Sequence, residues 1–136
     1  MNYTYQVLTT HPRQNQFEVE ALMVCLRALA DCAQSCATCA NACLNEPAVD
    51  ELIHCIRLNF NCADVCLATA RLLSGLTGVN VVLWRSQLQA CLIACQVCSE
   101  ACSRHAAYHK HCRVCAEACR QSELACHNLL ATLTHL

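Results

Sequence analysis

Apolar and small side chains recur along most of this sequence at alternating steps of three and four residues, with three interruptions. That period is typical of helices that pack one face against other helices. The interruptions are the stretches Asn45–Pro47, Gly75–Gly78 and 107–110. The pattern predicts an all-α protein, an antiparallel up-down four-helix bundle over residues 15–136 with helices at 15–44, 47–74, 80–107 and 110–134. Residues 1–14 lie outside the pattern and are expected to form an N-terminal arm.

Capping residues set the predicted ends of these helices. Thr10 offers a capping hydroxyl and Pro12 tolerates a first helical turn, so the first helix is expected to begin shortly after them. Pro47 can open the second helix and Gly75 can close it. No glycine or proline marks the third turn. It is placed at 107–110 because His109, Cys112 and Cys115 follow one another at two successive steps of three, and a continuous heptad would slip its register there.

Cysteines occupy the inward seams of all four predicted helices. The chain holds 16 cysteines, separated within each helix by 3, 4 or 7 residues. An apolar seam that faces a bundle axis advances by the same steps. Two glycines and two prolines are too few for a fold of many short strands, so the seams support the helical prediction. The seam cysteines are Cys25, Cys32, Cys36, Cys39, Cys43, Cys55, Cys62, Cys66, Cys91, Cys95, Cys98, Cys102, Cys112, Cys115, Cys119 and Cys126.

Composition and charge narrow the possible functions. The 56% hydrophobic content includes the cysteines, so sulfur must supply part of the core. Nine Lys and Arg against ten Asp and Glu leave no basic field for nucleic acid. The longest aliphatic and aromatic stretches fall short of the ~20 residues that span a bilayer, and the N-terminus has neither a basic leader nor an apolar run. We therefore expect a cytoplasmic protein with reduced thiols and no nucleic-acid or membrane partner.

Antiparallel pairing of the seams predicts layers of facing side chains inside a sulfur-lined tube. The first layer groups Cys39, Cys55, Cys98 and Cys119, the second Cys36, Asn59, Cys95 and Ser122, and the third Cys32, Cys62, Cys91 and Cys126. Hydrocarbon closes the end near the glycine loop, through Leu22, Leu73, Trp84, Leu88, Leu129 and Leu133. The opposite end carries His105, His109 and Cys112, and metal ions are expected to enter there.

A core of thiols indicates metal binding. Buried cysteine can act as a small hydrophobe, but alanine or valine would fill that role without oxidation. Disulfides within a helix are excluded because side chains three or four residues apart lie beyond disulfide reach. Four zinc ions among 16 thiolates would leave a net charge of minus eight in the core, whereas Cu(I) at one ion per thiolate leaves none. Soft thiolates also select Cu(I).

These motifs resemble those of the cytosolic copper storage proteins of bacteria. The resemblance covers nearly the whole chain and rests on the Cys-x-x-x-Cys and Cys-x-x-Cys steps of Cys32–Cys43, Cys91–Cys102 and Cys112–Cys119. It implies a four-helix bundle that stores many Cu(I) ions and assembles into a homotetramer. The exported branch of that family has a methionine-rich mouth. This chain has only Met1 and Met23, and seam histidines stand at the mouth instead.

Other polar residues have weaker predicted roles. His105 and His109 continue the third cysteine seam, so they are expected to bind or pass metal at the open end. His54 and His111 flank the seam by one position and are expected to be solvated or paired at the surface. Asn59 is expected to fix the register of the bundle, and Ser122 is interpreted as a small filler.

Two other metal-binding functions remain open at this point. Cys36, Cys39 and Cys43 have a spacing similar to that of ferredoxins, which allows an iron–sulfur protein, although ferredoxin ligands come from a loop and not from a helix. General sequestration of Zn(II), Cd(II) or Hg(II) would use the same thiols. An enzyme is not expected, because no nucleophile with a partner base and no phosphate loop occurs.

Overall fold

Five α-helices and one short 3-10 turn make up the described fold. The computed structural model describes residues 3–13 and 17–133. Within them the helices are α1 Tyr3–Thr10, α2 Val19–Leu44, α3 Ile53–Leu73, α4 Val81–Arg104 and α5 Lys110–Thr132, with the 3-10 turn at Val49–Leu52. No strand occurs in the described ranges. The predicted all-α class is confirmed.

The four long helices pack around one shared core. Helix α2 lies against α3 and α5, and α4 lies against the same two helices. Contacts between α3 and α4 run in opposite chain directions, since Cys62 faces Cys95 and Cys66 faces Cys91. The same holds for α4 and α5, where Arg85 reaches the carbonyl of Leu133 and Ser99 bonds that of Ala116. Neighbouring helices are therefore antiparallel in these pairs.

The N-terminal residues differ from the prediction. Within the predicted N-terminal arm, for which no helix was predicted, Tyr3–Thr10 forms a helix and its Leu8 is buried. The Thr10 hydroxyl donates back to the Gln6 carbonyl at 2.9 Å, so it closes α1 and does not open the next helix. Helix α2 begins at Val19. The predicted start near residue 15 lies outside the described residues.

The connections between helices are longer than predicted. After α2, the amide of Glu46 donates to the Cys43 carbonyl at 3.2 Å, and the 3-10 turn with its tighter bonding precedes α3. Helix α4 ends at Arg104 and not near 107, because the amide of His105 caps the Cys102 carbonyl at 3.1 Å. His109 is extended, with φ −133 and ψ 106, and precedes the first turn of α5. These connections place the histidines at one end of the core.

The predicted layers are right within each helix hairpin and wrong between the hairpins. Cys32 lies 3.8 Å from Cys62, as predicted for α2 and α3. Cys62, however, faces Cys95 at 3.9 Å and not Cys91. Compared with the predicted alignment, α4 is thus shifted along α3 by four residues, about one helical turn. The connection 74–80 is long and takes a left-handed turn at Gly78, with φ 67, so its length alone does not fix the axial offset.

Hydrocarbon closes the end of the core near that connection. All six of the predicted closing residues are buried. Phe17 stacks on Trp84 with ring centroids 5.3 Å apart and covers this end from outside. Among the described residues, this end of the core is therefore lined mainly by hydrocarbon.

Two of the long helices also satisfy a length and composition test for crossing a bilayer. These are Val19–Leu44 and Val81–Arg104, with 50% and 33% of their apolar windows buried inside the fold. Core helices of soluble proteins have the same length and composition, so this finding is weak evidence for a membrane span. The expectation of no membrane partner stays a prediction.

Two buried hydroxyl groups differ in their hydrogen bonding, so their removal should affect stability differently. Thr69 donates to the Val65 carbonyl at 2.7 Å and accepts from Gln87 at 2.9 Å, whereas the buried Ser122 hydroxyl has no hydrogen-bond partner among the described residues. Thr69→Val should therefore lower the unfolding free energy of the reduced, metal-free protein by about 1 kcal/mol. Ser122→Ala should leave it unchanged or raise it. Urea unfolding followed by circular dichroism measures both, and a larger loss for Ser122→Ala than for Thr69→Val would contradict this assignment.

Candidate metal centre

The core of the bundle is lined by thiols in mutual contact. All 16 cysteines are buried and none is in a disulfide. Sulfur atoms from different helices lie close together, for example Cys55 and Cys102 at 3.5 Å and Cys36 and Cys119 at 3.6 Å. Sulfurs also meet along one helix, as Cys32 and Cys36 do at 3.9 Å. A sulfur therefore has neighbours both across the core and along it.

These sulfurs form overlapping groups that could each hold a metal ion. Within each group all ligand atoms lie within 4.8 Å of one another. Several cysteines belong to more than one group, so neighbouring sites share ligands: Cys32, Cys36, Cys39, Cys62, Cys115 and Cys119. The groups include Cys32, Cys62, Cys66 and Cys95; Cys32, Cys36, Cys62 and Cys119; Cys36, Cys98, Cys115 and Cys119; Cys39, Cys43, His111 and Cys112; and Cys39, Cys102 and Cys115.

Other cysteines continue the lining beyond these groups, toward the hydrocarbon end of the core. Cys91 lies 3.9 Å from Cys66, next to the first of these groups. Cys126 interacts with Cys25 at the hydrocarbon end, and this hydrogen bond together with burial raises the pKa of the Cys126 thiol. The structure therefore brings the predicted cysteines into one continuous lining.

A buried amide stands in the middle of this lining. The Oδ1 atom of Asn59 accepts from the thiols of Cys98, Cys102 and Cys115 at 3.0, 3.4 and 3.3 Å. Its Nδ2 atom faces the sulfur of Cys55 at 3.9 Å. Asn59 thus links α3 to α4 and α5 at one height of the bundle. A single oxygen that accepts from three thiols holds the register of these helices.

His111 is the histidine that meets the thiols. Its Nδ1 atom lies 3.4 Å from the sulfur of Cys39, 3.6 Å from that of Cys112 and 4.0 Å from that of Cys43. The expectation that His111 would be solvated or paired at the surface missed these contacts with the thiols. That expectation assumed a seam that continues through His109. Helix α5 instead begins at Lys110, so His111 lies in its first turn, at the end of the core.

The two histidines predicted as metal ligands lie in other surroundings. His105 caps α4 and is half-buried, and its ring makes no hydrogen bond or ion pair within residues 3–13 and 17–133. The Nδ1 atom of His109 lies 3.1 Å from the carboxylate of Glu46, and its ring is 5.5 Å from that of His111. Metal binding by His105 and His109 stays a prediction. His54 is exposed, as expected.

A groove between α2 and α5 leads from the surface toward the same thiols. Its volume is about 470 Å³, and its floor includes Cys39, Cys115 and His111. Thr38 and Lys110 lie on its walls. The end of the bundle that carries the histidines is therefore the end at which solvent comes closest to sulfur.

Burial favours the protonated form of the thiols at the histidine end of the core. Burial raises the pKa of the Cys112 thiol to about 12. Burial likewise raises the pKa of Cys43 above its ordinary value. Neutral thiols can pack as a weakly polar core, whereas a soft cation converts them to thiolates and releases protons. The site is suited to binding many soft metal ions without a change of fold.

The fold and the site together define a helical metal-storage bundle. The chain belongs to the copper storage protein family, whose sequence model, described as "Csp: Copper storage protein", matches residues 18–131. The prediction of a copper storage protein is thereby confirmed.

Similar proteins of known structure come from Streptomyces lividans. The copper storage protein Ccsp, in a structure loaded with 10 copper equivalents, is 48% identical with a TM-score of 0.92 over 95% of this chain and 98% of that one. A cytosolic copper storage protein from the same organism with five coppers is 53% identical, with a TM-score of 0.82 over 82% and 93% of the two chains.

The uncharacterized cysteine-rich protein YhjQ of Bacillus subtilis is 30% identical over 88 residues, 65% of this chain and 76% of that one.

The raised thiol pKa predicts how the stability of the metal-free protein depends on pH. The unfolded Cys112 thiol has its ordinary pKa of 9.0 and the folded one a pKa of about 12. Below the lower value both states are protonated and the contribution to stability is complete. As pH rises further, the unfolded thiol loses its proton first, so the unfolding free energy should fall. Anaerobic urea unfolding at increasing pH measures this, with Cys112→Ala as the variant that should fall less; stability that increases through this range would contradict it.

Proposed function

We propose that this chain is an intracellular reservoir that binds about one Cu(I) ion per cysteine in the core of its helix bundle. The observation that carries the proposal is that neighbouring groups of sulfur ligands share six cysteines, namely Cys32, Cys36, Cys39, Cys62, Cys115 and Cys119. Shared thiolates can bridge two ions, and bridging is what allows many ions to occupy one core. Isolated sites for a few ions would not need shared ligands.

Charge and coordination number favour Cu(I) over divalent ions. Every thiolate in the core carries a negative charge into a buried environment, where uncompensated charge costs several kcal/mol per ion. A monovalent ion with two or three sulfur ligands cancels that charge at one ion per thiolate. Zn(II) held by four thiolates leaves two negative charges at each site. The buried core offers no cation from the protein to offset them in the described residues.

An iron–sulfur cluster fits this geometry poorly. Cys36, Cys39 and Cys43 would have to converge on one cluster, as their spacing alone allows. Cys36 instead groups with Cys98 and Cys119, and Cys43 groups with His111. Cys39 and Cys43 share the group of His111, which Cys36 does not join, so the three cysteines do not converge on one site.

We assign all 16 seam cysteines as Cu(I) ligands, and we add His111 to the predicted His105 and His109. Ions would enter at the histidine end, where the groove beside Lys110 reaches the sulfur of Cys39. The protein would act in the cytoplasm, as the description of one Streptomyces lividans relative states for that protein. It would bind and release metal without chemical conversion, and it would need neither nucleic acid nor membrane.

We also propose that the chain forms a homotetramer. Ile53, Phe60 and Leu67 recur every seven residues along α3 and are 41%, 42% and 55% exposed. Exposed apolar stripes of this kind mark protein interfaces. Phe60→Glu should therefore yield a smaller species in size-exclusion chromatography with light scattering. Leu124→Glu is the control, because Leu124 lies on a different helix, α5, and is 54% exposed; a monomeric wild type would contradict the proposal.

Anaerobic Cu(I) titration tests the storage proposal. The reduced, metal-free protein is titrated against a chromophoric Cu(I) chelator, and uptake of about 16 ions per chain is expected, at one per thiolate. Each ion should release about one proton, since the thiols are neutral beforehand.

Saturation at about four ions would contradict the proposal and indicate four-thiolate sites of the zinc type. Competition with Zn(II) separates the metals, because Cu(I) should displace Zn(II) fully. Brown visible absorbance in protein purified without oxygen would point to an iron–sulfur cluster instead.

A further inference from the structure

A single carboxylate lies between the two histidines at the open end of the core. One oxygen of Glu46, Oε2, is 3.1 Å from Nδ1 of His109, and the other, Oε1, is 3.6 Å from Nε2 of His111. The side chains are partly buried, with 31% of Glu46, 16% of His109 and 28% of His111 exposed. Glu46 therefore meets the two imidazoles through different ring atoms.

The backbone fixes Glu46 relative to the thiols. Its amide donates to the carbonyl of Cys43, and its own carbonyl accepts from Val49, each at 3.2 Å. Cys43 is itself one of the sulfurs that surround His111. The carboxylate is thus held by the same turn that ends the first cysteine helix.

An ionised carboxylate only accepts hydrogen bonds, so each nitrogen that faces it must carry a proton. In neutral His109 the proton then sits on Nδ1, which leaves the lone pair on Nε2. A hydrogen bond from neutral His111 to the same carboxylate would place its proton on Nε2 and leave the lone pair of Nδ1 directed at Cys39, Cys43 and Cys112. Metal-binding histidines commonly donate their other ring nitrogen to a carboxylate in this way.

The distance between Glu46 and His111 is slightly too long for a hydrogen bond. The Nε2 atom of His111 is buried and has no hydrogen-bond partner among the described residues, and the Glu46 oxygen 3.6 Å away is just beyond hydrogen-bond length. A shift of a few tenths of an ångström would close it. The nitrogen thus has one acceptor within reach, and that acceptor already holds the neighbouring histidine.

We propose that Glu46 is a positioning residue that imposes opposite tautomers on His109 and His111, so that His109 offers Nε2 and His111 offers Nδ1 to an incoming soft cation. The two rings are 5.5 Å apart, and His111 is in contact with the first thiols of the core. Glu46 would thereby set the order in which an ion meets imidazole and then sulfur. The uptake role rests on the proposed storage of Cu(I), whereas the tautomers do not.

Nitrogen-15 NMR of the reduced, metal-free full chain tests the tautomers. Long-range proton–nitrogen correlations are recorded above the ordinary imidazole pKa of about 6.5. The wild type should have a protonated Nδ1 on His109 and a protonated Nε2 on His111. In Glu46→Gln the amide offers one acceptor and one donor group, so one of the two rings should change its tautomer. Glu51→Gln, an exposed carboxylate in the adjoining 3-10 turn, should change neither.

Transfer of Cu(I) from a small-molecule complex tests the role in uptake. Glu46→Gln should slow the first phase of uptake about tenfold, the range seen when a partner of a metal ligand is removed. Its final capacity should match the wild type, Glu46→Asp should recover part of the rate, and Glu51→Gln should behave as wild type.

Equal tautomers on both rings of the wild type, or unchanged tautomers in Glu46→Gln, would overturn the proposal. An unchanged uptake rate in a variant with altered tautomers would overturn the role in uptake. If the wild type takes up no Cu(I), the storage proposal fails while the tautomer result stands, so the two failures are distinguishable.

Discussion

Sulfur–sulfur contact between four helices is the constraint on which this structure depends. Sulfurs of neighbouring helices approach to 3.5–3.9 Å, as in the pairs Cys55–Cys102 and Cys66–Cys91. Such an approach requires small residues beside the seams, and buried alanines such as Ala40, Ala101 and Ala116 supply them. The side chains that pack the core are therefore the same ones that can bind metal. Neutral thiols stabilise the empty protein by burial, and thiolates neutralised by soft cations would occupy the same space.

The two ends of this core have different chemistry. Leucine and tryptophan side chains seal one end, with Trp84 covered by Phe17. At the other end a groove reaches Cys39, and Glu46 with its two histidines borders the first thiols. A storage protein with one polar end can exchange ions without opening its helices. Asn59 lies between the ends and bonds thiols of two other helices, so the lining is not pure sulfur throughout.

Much of this arrangement could be predicted from the sequence, because seam spacing is a local property. Cysteine steps of three and four residues gave the helical class and the inward direction of every cysteine, and short connections gave the pairing of Cys32 with Cys62. The predicted partner of Cys62 on α4 was wrong by about one helical turn. Loop conformation and packing set the axial offset between these two helices, and cysteine spacing within a helix does not. His111 was missed for a similar reason: the end of α4 at Arg104 breaks the seam that the sequence continues through His109. The extended backbone of His109, which separates α4 from α5, is what corrects the predicted position of His111.

The thiols are expected to form a stable core before any metal binds. Far-ultraviolet circular dichroism of the reduced protein, recorded with and without Cu(I) during thermal unfolding, is the test. Both forms should have the same helical signal, and copper should raise the unfolding temperature, because a ligand bound only by the folded state stabilises it. Loss of the helical signal on removal of copper would be the contrary result, since the metal and not the thiol packing would then hold the bundle together.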